Sequence, residues 1–290
     1  MIFLFLSILS SVIILVIFKL TERFDIPIIH PIIINYFIAS GFGYYNADLT
    51  LEKVAQMPLE WVWPAAIVGS LFVFTFFLIG LSTRKAGIAL TTVAAKMSFV
   101  FPMFFSILID ANDHYSTTKL VLLFMAIVAV FLTVYKKRQK RVESLFIVLL
   151  PAMLFVLLGF ADSLVKFSQN YYIKDENASS AFSFLLFGFS ALWSIGLIFF
   201  QKNKKAILKP KTLLSGVLIG LANFGSLYFL INALNELSLN NSIVFALNNT
   251  GVVLMSVIIA LSLFRERVSI INKVGITLSI VTFGVLIAFL

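Results

Sequence analysis

The feature that most constrains this chain is a succession of apolar stretches, each about as long as a bilayer is thick, joined by short polar connections. Ten of them meet the requirement of about 17–25 mainly apolar residues for a helix that crosses hydrocarbon. They run Ile2–Phe18, Ile28–Tyr45, Trp61–Leu81, Ile88–Ile109, Leu120–Tyr135, Leu145–Ser168, Ala181–Phe200, Leu213–Leu234, Asn241–Phe264 and Ile271–Leu290. A soluble domain is about 45–50% apolar and about 25% charged, whereas this chain is 61% hydrophobic and 12% charged. That much apolar surface cannot hide inside one soluble core, so the solvent of these helices is lipid. There is no cysteine, and His30 and His114 are the only histidines. Disulfides and thiolate sites are therefore excluded, little metal chemistry is left, and no cofactor is expected. No His, Asp, Glu or Ser/Lys cluster at catalytic spacing lies within the spans, so the chain does not read as an enzyme. A non-transporting membrane scaffold fits less well, because no connection is long enough to fold alone.

The two halves resemble each other. VAAKMS at 93–98 aligns without gaps with FALNNT at 245–250, and the same shift pairs FFLIGL at 76–81 with YFLINA at 228–233. VIFKL at 16–20 matches SLVKF at 163–167, and KLVLLFMAIVAV resembles NKVGITLSIVTF. The reading is one membrane domain made of repeat one (1–135), a basic connecting loop (136–144) and repeat two (145–290). Five helices per repeat is an odd number, so the second repeat enters the membrane inverted, as in secondary transporters with a site at the repeat interface near the midplane. Basic residues are strongly biased: seventeen flank the odd-to-even connections, against Lys53, Lys119 and Lys174 on the other side. By the positive-inside rule the odd-to-even loops are cytoplasmic. The net charge of +9 is read as orientation and contact with anionic membrane lipids rather than nucleic acid.

The remaining two cations, Lys96 and Lys166, fall inside spans. An ionisable group at membrane depth is expensive and marks a pathway by default. Lys96 is followed by Pro102, which cannot donate to the Ser98 carbonyl and is expected to bend the helix and leave that acceptor free. Asp162 stands four residues before Lys166, a spacing that suits either a structural pair or proton coupling. Asn248, Asn249 and Thr250 of the second repeat align with the Lys96–Ser98 stretch and supply amide and hydroxyl groups. With Lys96, Ser98, Asn223 and Asn35 they form the candidate substrate-binding set. Each asparagine could equally hold two helices together. Gly216, Gly220, Ala222 and Gly225 are read as close-packing positions.

The VIFKL ending of the first span, the GLSTRKAGIALTTVAAKMSFVFP hairpin and the last two spans, with Glu266 and Gly275 between and after them, resemble the drug/metabolite transporter superfamily. The likeness is to its ten-helix EamA-like members. That resemblance implies an all-α integral membrane basket of ten helices, two inverted five-helix repeats around a central cavity, moving small metabolites by alternating access. The charge bias places both termini outside, opposite to the family's usual orientation. The first span lacks the acidic residue that the superfamily's four-helix cation exporters use. Lys96 instead suits a carboxylate or phosphate. The expectation is a secondary transporter, read as an exporter, of a small anionic or zwitterionic metabolite such as an amino acid, in a bacterial inner membrane. Ten helices can enclose such a site without a second copy. The rival reading is a lipid or polyprenyl-phosphate translocase.

Overall fold

The computed structural model describes residues 1–46, 49–109, 117–135, 145–172, 176–199, 204–236 and 241–289. The connecting loop 136–144, His114, Lys174 and the side chain of Lys166 lie outside what it describes. Among the described residues the chain is helical throughout, with no strand. The helices are α1 (Ile2–Arg23), α2 (Ile29–Asn46), the short α3 (Leu51–Ala55), α4 (Leu59–Lys85), α5 (Ile88–Met97), α6 (Val100–Ile109), α7 (Thr117–Val134), α8 (Leu145–Tyr171) and α9 (Glu176–Phe199). A 3-10 turn at Lys204–Leu208 precedes α10 (Pro210–Glu236), α11 (Asn241–Ser262) and α12 (Ile270–Phe289).

Seven helices among the described residues are long and apolar enough to cross a bilayer. They are α1, α4, α5 continued into α6, α9, α10, α11 and α12. Two shorter apolar helices, Leu120–Thr133 and Leu149–Val165, accompany them. The eighteen-residue α2 carries His30 and Asn35 within its length. The chain is an all-α, multi-pass membrane protein.

Burial follows the solvent. Phe124 and Phe131 are each 69% exposed and Ile258 62%, positions at home in acyl chains. Ser7, Thr91, Thr92 and Ser98 are buried. Buried hydroxyls can be satisfied by bonding back along their own helix. Thr91 Oγ1 donates to the Gly87 carbonyl at 2.7 Å, Thr92 to Ile88 at 2.8 Å and Thr250 to Ala246 at 2.7 Å. Apolar packing forms two main cores. One joins α1, α2, α4, α9 and α10, and the other joins α1, α5, α7, α11 and α12. Each core mixes helices from both halves of the sequence.

Polar bonds tie several connections together at one end of the bundle. Lys19 Nζ, on the last turns of α1, donates to the Arg84 carbonyl at the end of α4 (3.0 Å) and to Glu22 (3.0 Å). Arg84 donates to Thr21 Oγ1 and to the Ile26 carbonyl between α1 and α2. Glu266, between α11 and α12, reaches the head of α5. Asn272 at the start of α12 donates to the Thr133 and Tyr135 carbonyls at the end of α7, at 2.7 and 2.8 Å. Lys211 sits over the Phe24 ring, 4.8 Å from its centre. The connections α1–α2, α4–α5 and α11–α12 and the end of α7 therefore share one face, the one richest in Lys and Arg.

Candidate functional site

The site is built where the fourth span breaks. α5 stops at Met97, Ser98 and Phe99 form a turn, and α6 starts at Val100. The sequence suggested a bend at Pro102 with the Ser98 carbonyl left free. Instead Pro102 is the third residue of α6, inside its first turn, where a missing N–H costs nothing because those donors have no intrahelical partner. The Ser98 carbonyl is taken by Phe101 N–H at 3.0 Å. Proline here starts a new helix rather than kinking an old one.

α8 lies against both pieces. Gly159 is required by this approach, since a Cβ there would stand 2.1 Å from the Phe101 ring. Asp162 is one turn further along the same face of α8. Ser98 Oγ sits 3.1 Å from Asp162 Oδ2 and 2.7 Å from the Ala95 carbonyl, and its single proton serves one of them at a time. Lys96 and Asp162 are half-buried and act on each other electrostatically. The break thus gathers a cation, a carboxylate and a hydroxyl from two spans.

Asn248 sits on α11, which packs against α5 and α1. It is 3% exposed and its side-chain oxygen has no hydrogen-bond partner. Asn249 and Thr250 are half-buried beside it, with Thr250 bonded back to its own helix. Asn35 and Asn223 meet each other: Asn223 Nδ2 donates to Asn35 Oδ1 at 3.1 Å, between α10 and α2. At that contact Gly216 faces Ile34 and Gly220 faces Ile38. Their bond reads as a helix clamp.

Sequence reasoning gave no role to Glu266 beyond its place in a pattern, and passed over Asn272. Asn272 was findable, because Ser269 three residues before it makes a capping pair at the head of α12, and Asn272 N–H donates to Ser269 Oγ at 3.2 Å. Glu266 Oε1 accepts from Ile88 N–H at 2.7 Å and Oε2 from Ala89 N–H at 3.3 Å. Burial raises its carboxyl above the ordinary glutamate value, against the lowering pull of those two N–H groups and of Lys19. Among the described residues, no group of three His, Asp or Glu is placed to hold a metal.

No family model matches the chain. It is 26% identical over 281 residues to an uncharacterised protein of Haemophilus influenzae, covering 94% of this chain and 93% of that one. A protein of known crystal structure overlays with a TM-score of 0.56 over 96% of this chain and 95% of its own, at 13% identity. That last likeness is one of fold alone.

Proposed function

We propose that this protein is a secondary transporter, acting as an exporter, of a small zwitterionic or anionic metabolite, with amino acids the plainest class. The observation that carries the reading is the meeting of Lys96, Asp162 and Ser98 at the α5–α6 break. A carrier for a molecule with one carboxylate and one ammonium needs a fixed cation and a fixed anion at depth, in a setting where each is worth far more than in water. Lys96 would take the carboxylate and Asp162 the ammonium. The unpaired oxygen of Asn248 is a further acceptor, since buried acceptors seek partners.

The architecture proposed is ten spans in two inverted five-helix repeats around a central site. Neighbour relations support it. Exchanging α1 with α8, α2 with α9, α4 with α10, α5 and α6 with α11, and α7 with α12 turns most observed contacts into other observed contacts. The α1–α10 contact becomes α8–α4, α2–α10 becomes α9–α4, and α1–α11 becomes α8 with α5 and α6. The pairs α2–α9 and α7–α12 map onto themselves. Rocking of one repeat against the other would open the site alternately, as in the drug/metabolite transporters that the sequence resembles. The odd-to-even face is taken as cytoplasmic, in a bacterial inner membrane.

The test is flux. Purified protein in liposomes should carry radiolabelled zwitterionic amino acids faster than the matching amines or carboxylic acids, and Lys96→Ala should abolish that flux with helical content unchanged. Equal rates for the native protein and the Lys96→Ala variant would refute the assignment.

A further inference from the structure

We infer that Glu266 is a latch that holds the Lys- and Arg-rich face of the carrier closed, by capping the helix that carries Lys96. The inference rests on the carrier reading above. An α-helix begins with four N–H groups that its own backbone cannot satisfy. The head of α5 has no cap of its own, because its N-cap residue is Gly87, which offers no side chain. Gly87 adopts φ +103°, a conformation that favours glycine and turns the chain from α4 into α5. Glu266 fills the place from outside, taking the Ile88 and Ala89 N–H groups with its two carboxylate oxygens. A negative charge there also meets the positive end of the helix dipole. The fit is close: a Cβ on Gly87 would lie 2.6 Å from Glu266 Oε2.

Glu266 is held out for this contact. Its N–H donates to the Ala260 carbonyl of α11 at 2.9 Å, and Arg265 beside it takes φ 51°. Lys19 acts on its charge from α1 while bonding the end of α4. The contact therefore ties the α11–α12 connection of the second half to three helix ends of the first. Opening this face by rocking the halves apart must withdraw the carboxylate from α5. In the closed state the N–H groups have Glu266, and in the open state they have water, so the contact has two satisfied arrangements. α5 transmits the difference as a rigid element, since Lys96 lies eight residues beyond Ile88, about 12 Å along the axis at 1.5 Å per residue.

The absence of cysteine allows a direct test that needs no substrate. A Ser98→Cys reporter places a near-isosteric thiol at the site itself. Its labelling by a membrane-impermeant maleimide is followed separately from each side, in vesicles of opposite orientation. Adding Glu266→Ala should raise the rate from the Glu266 side about tenfold, the scale of a lost helix cap, and lower it from the opposite side. Glu266→Gln, which keeps an accepting oxygen and loses the charge, should give about a threefold rise on the same side. Gly87→Ala should act like Glu266→Ala by displacing the carboxylate without removing it. Rates unchanged from both sides, or raised equally from both, would overturn the latch, and Glu266→Gln alone decides if the alanine variants do not fold. Flipped labelling with no zwitterion flux by the native protein would leave the latch standing and sink the substrate reading. Flux with unchanged labelling would sink the latch alone.

Discussion

The two ends of α5 are held in opposite ways. At its head, every element of the contact is an ordinary capping device: a glycine that turns the chain, two N–H groups and a carboxylate supplied from α11–α12. At its tail the helix is broken off, and the break brings Ser98 within 3.1 Å of Asp162, whose charge acts on Lys96. A cap answers a geometric need that any helix has. Opposite charges set among apolar spans answer no such need, and apolar residues of the same size would pack there at less cost. The comparison separates a contact that any helix needs from one that no helix needs. It also shows why the two are linked, since one short helix bears both.

Breaking the tail should have the largest effect. Lys96→Ala removes the cation proposed to hold the substrate carboxylate, a charge-assisted contact worth about 1.5–3 kcal/mol. Flux of zwitterions in liposomes should fall by about 100-fold. Asp162→Asn should sharpen the contrast rather than erase it. The amide no longer attracts an ammonium, so the ratio of zwitterion to simple-anion flux should fall by about tenfold, the scale of one hydrogen bond to a charged group. At the head, Glu266→Ala should lower stability by about 1–2 kcal/mol, as lost caps do, read as thermal unfolding in detergent.

The same carboxyl gives a pH signature. Burial raises it in the folded protein, so the folded state keeps this proton to higher pH than the unfolded chain. Its contribution to stability is full below the unfolded glutamate value and is lost as pH rises through the folded value. Glu266→Gln should flatten that slope in thermal unfolding measured as a function of pH. The smallest effect belongs to the clamp away from both ends. Asn35→Leu removes one interhelical bond worth about 0.6 kcal/mol, and flux should be unchanged while unfolding shifts slightly.

Seven of the ten apolar stretches were legible in the sequence as spans, because lipid demands length and apolarity, which composition shows directly. Their ends were less so. The first apolar stretch stops at Phe18, yet α1 continues through Lys19 to Arg23, because a helix does not need apolar residues once it leaves the acyl chains. The break in the fourth span was placed at Pro102, when the turn sits at Ser98 and Phe99. Proline marks a helix start as readily as a kink, and only the neighbouring turn decides which. Lys96 and Asp162 stood out separately as charges in apolar surroundings. That they act on each other electrostatically was not readable, since the nearer partner by sequence was Lys166, four residues from Asp162. Asn35 and Asn223 were visible as polar interruptions, while their bond spans 188 positions and belongs to the packing of α2 on α10. Glu266 was hidden for the same reason, because its partners are backbone N–H groups 177 and 178 residues away, and backbone leaves no trace in the sequence.

The most direct test of the central claim is thermal shift of the purified protein against matched sets of zwitterions, amines and carboxylic acids. The account predicts stabilisation by zwitterions that disappears in Lys96→Ala and weakens in Asp162→Asn. Stabilisation that either substitution leaves unchanged, or that single-charged compounds produce equally well, would contradict it.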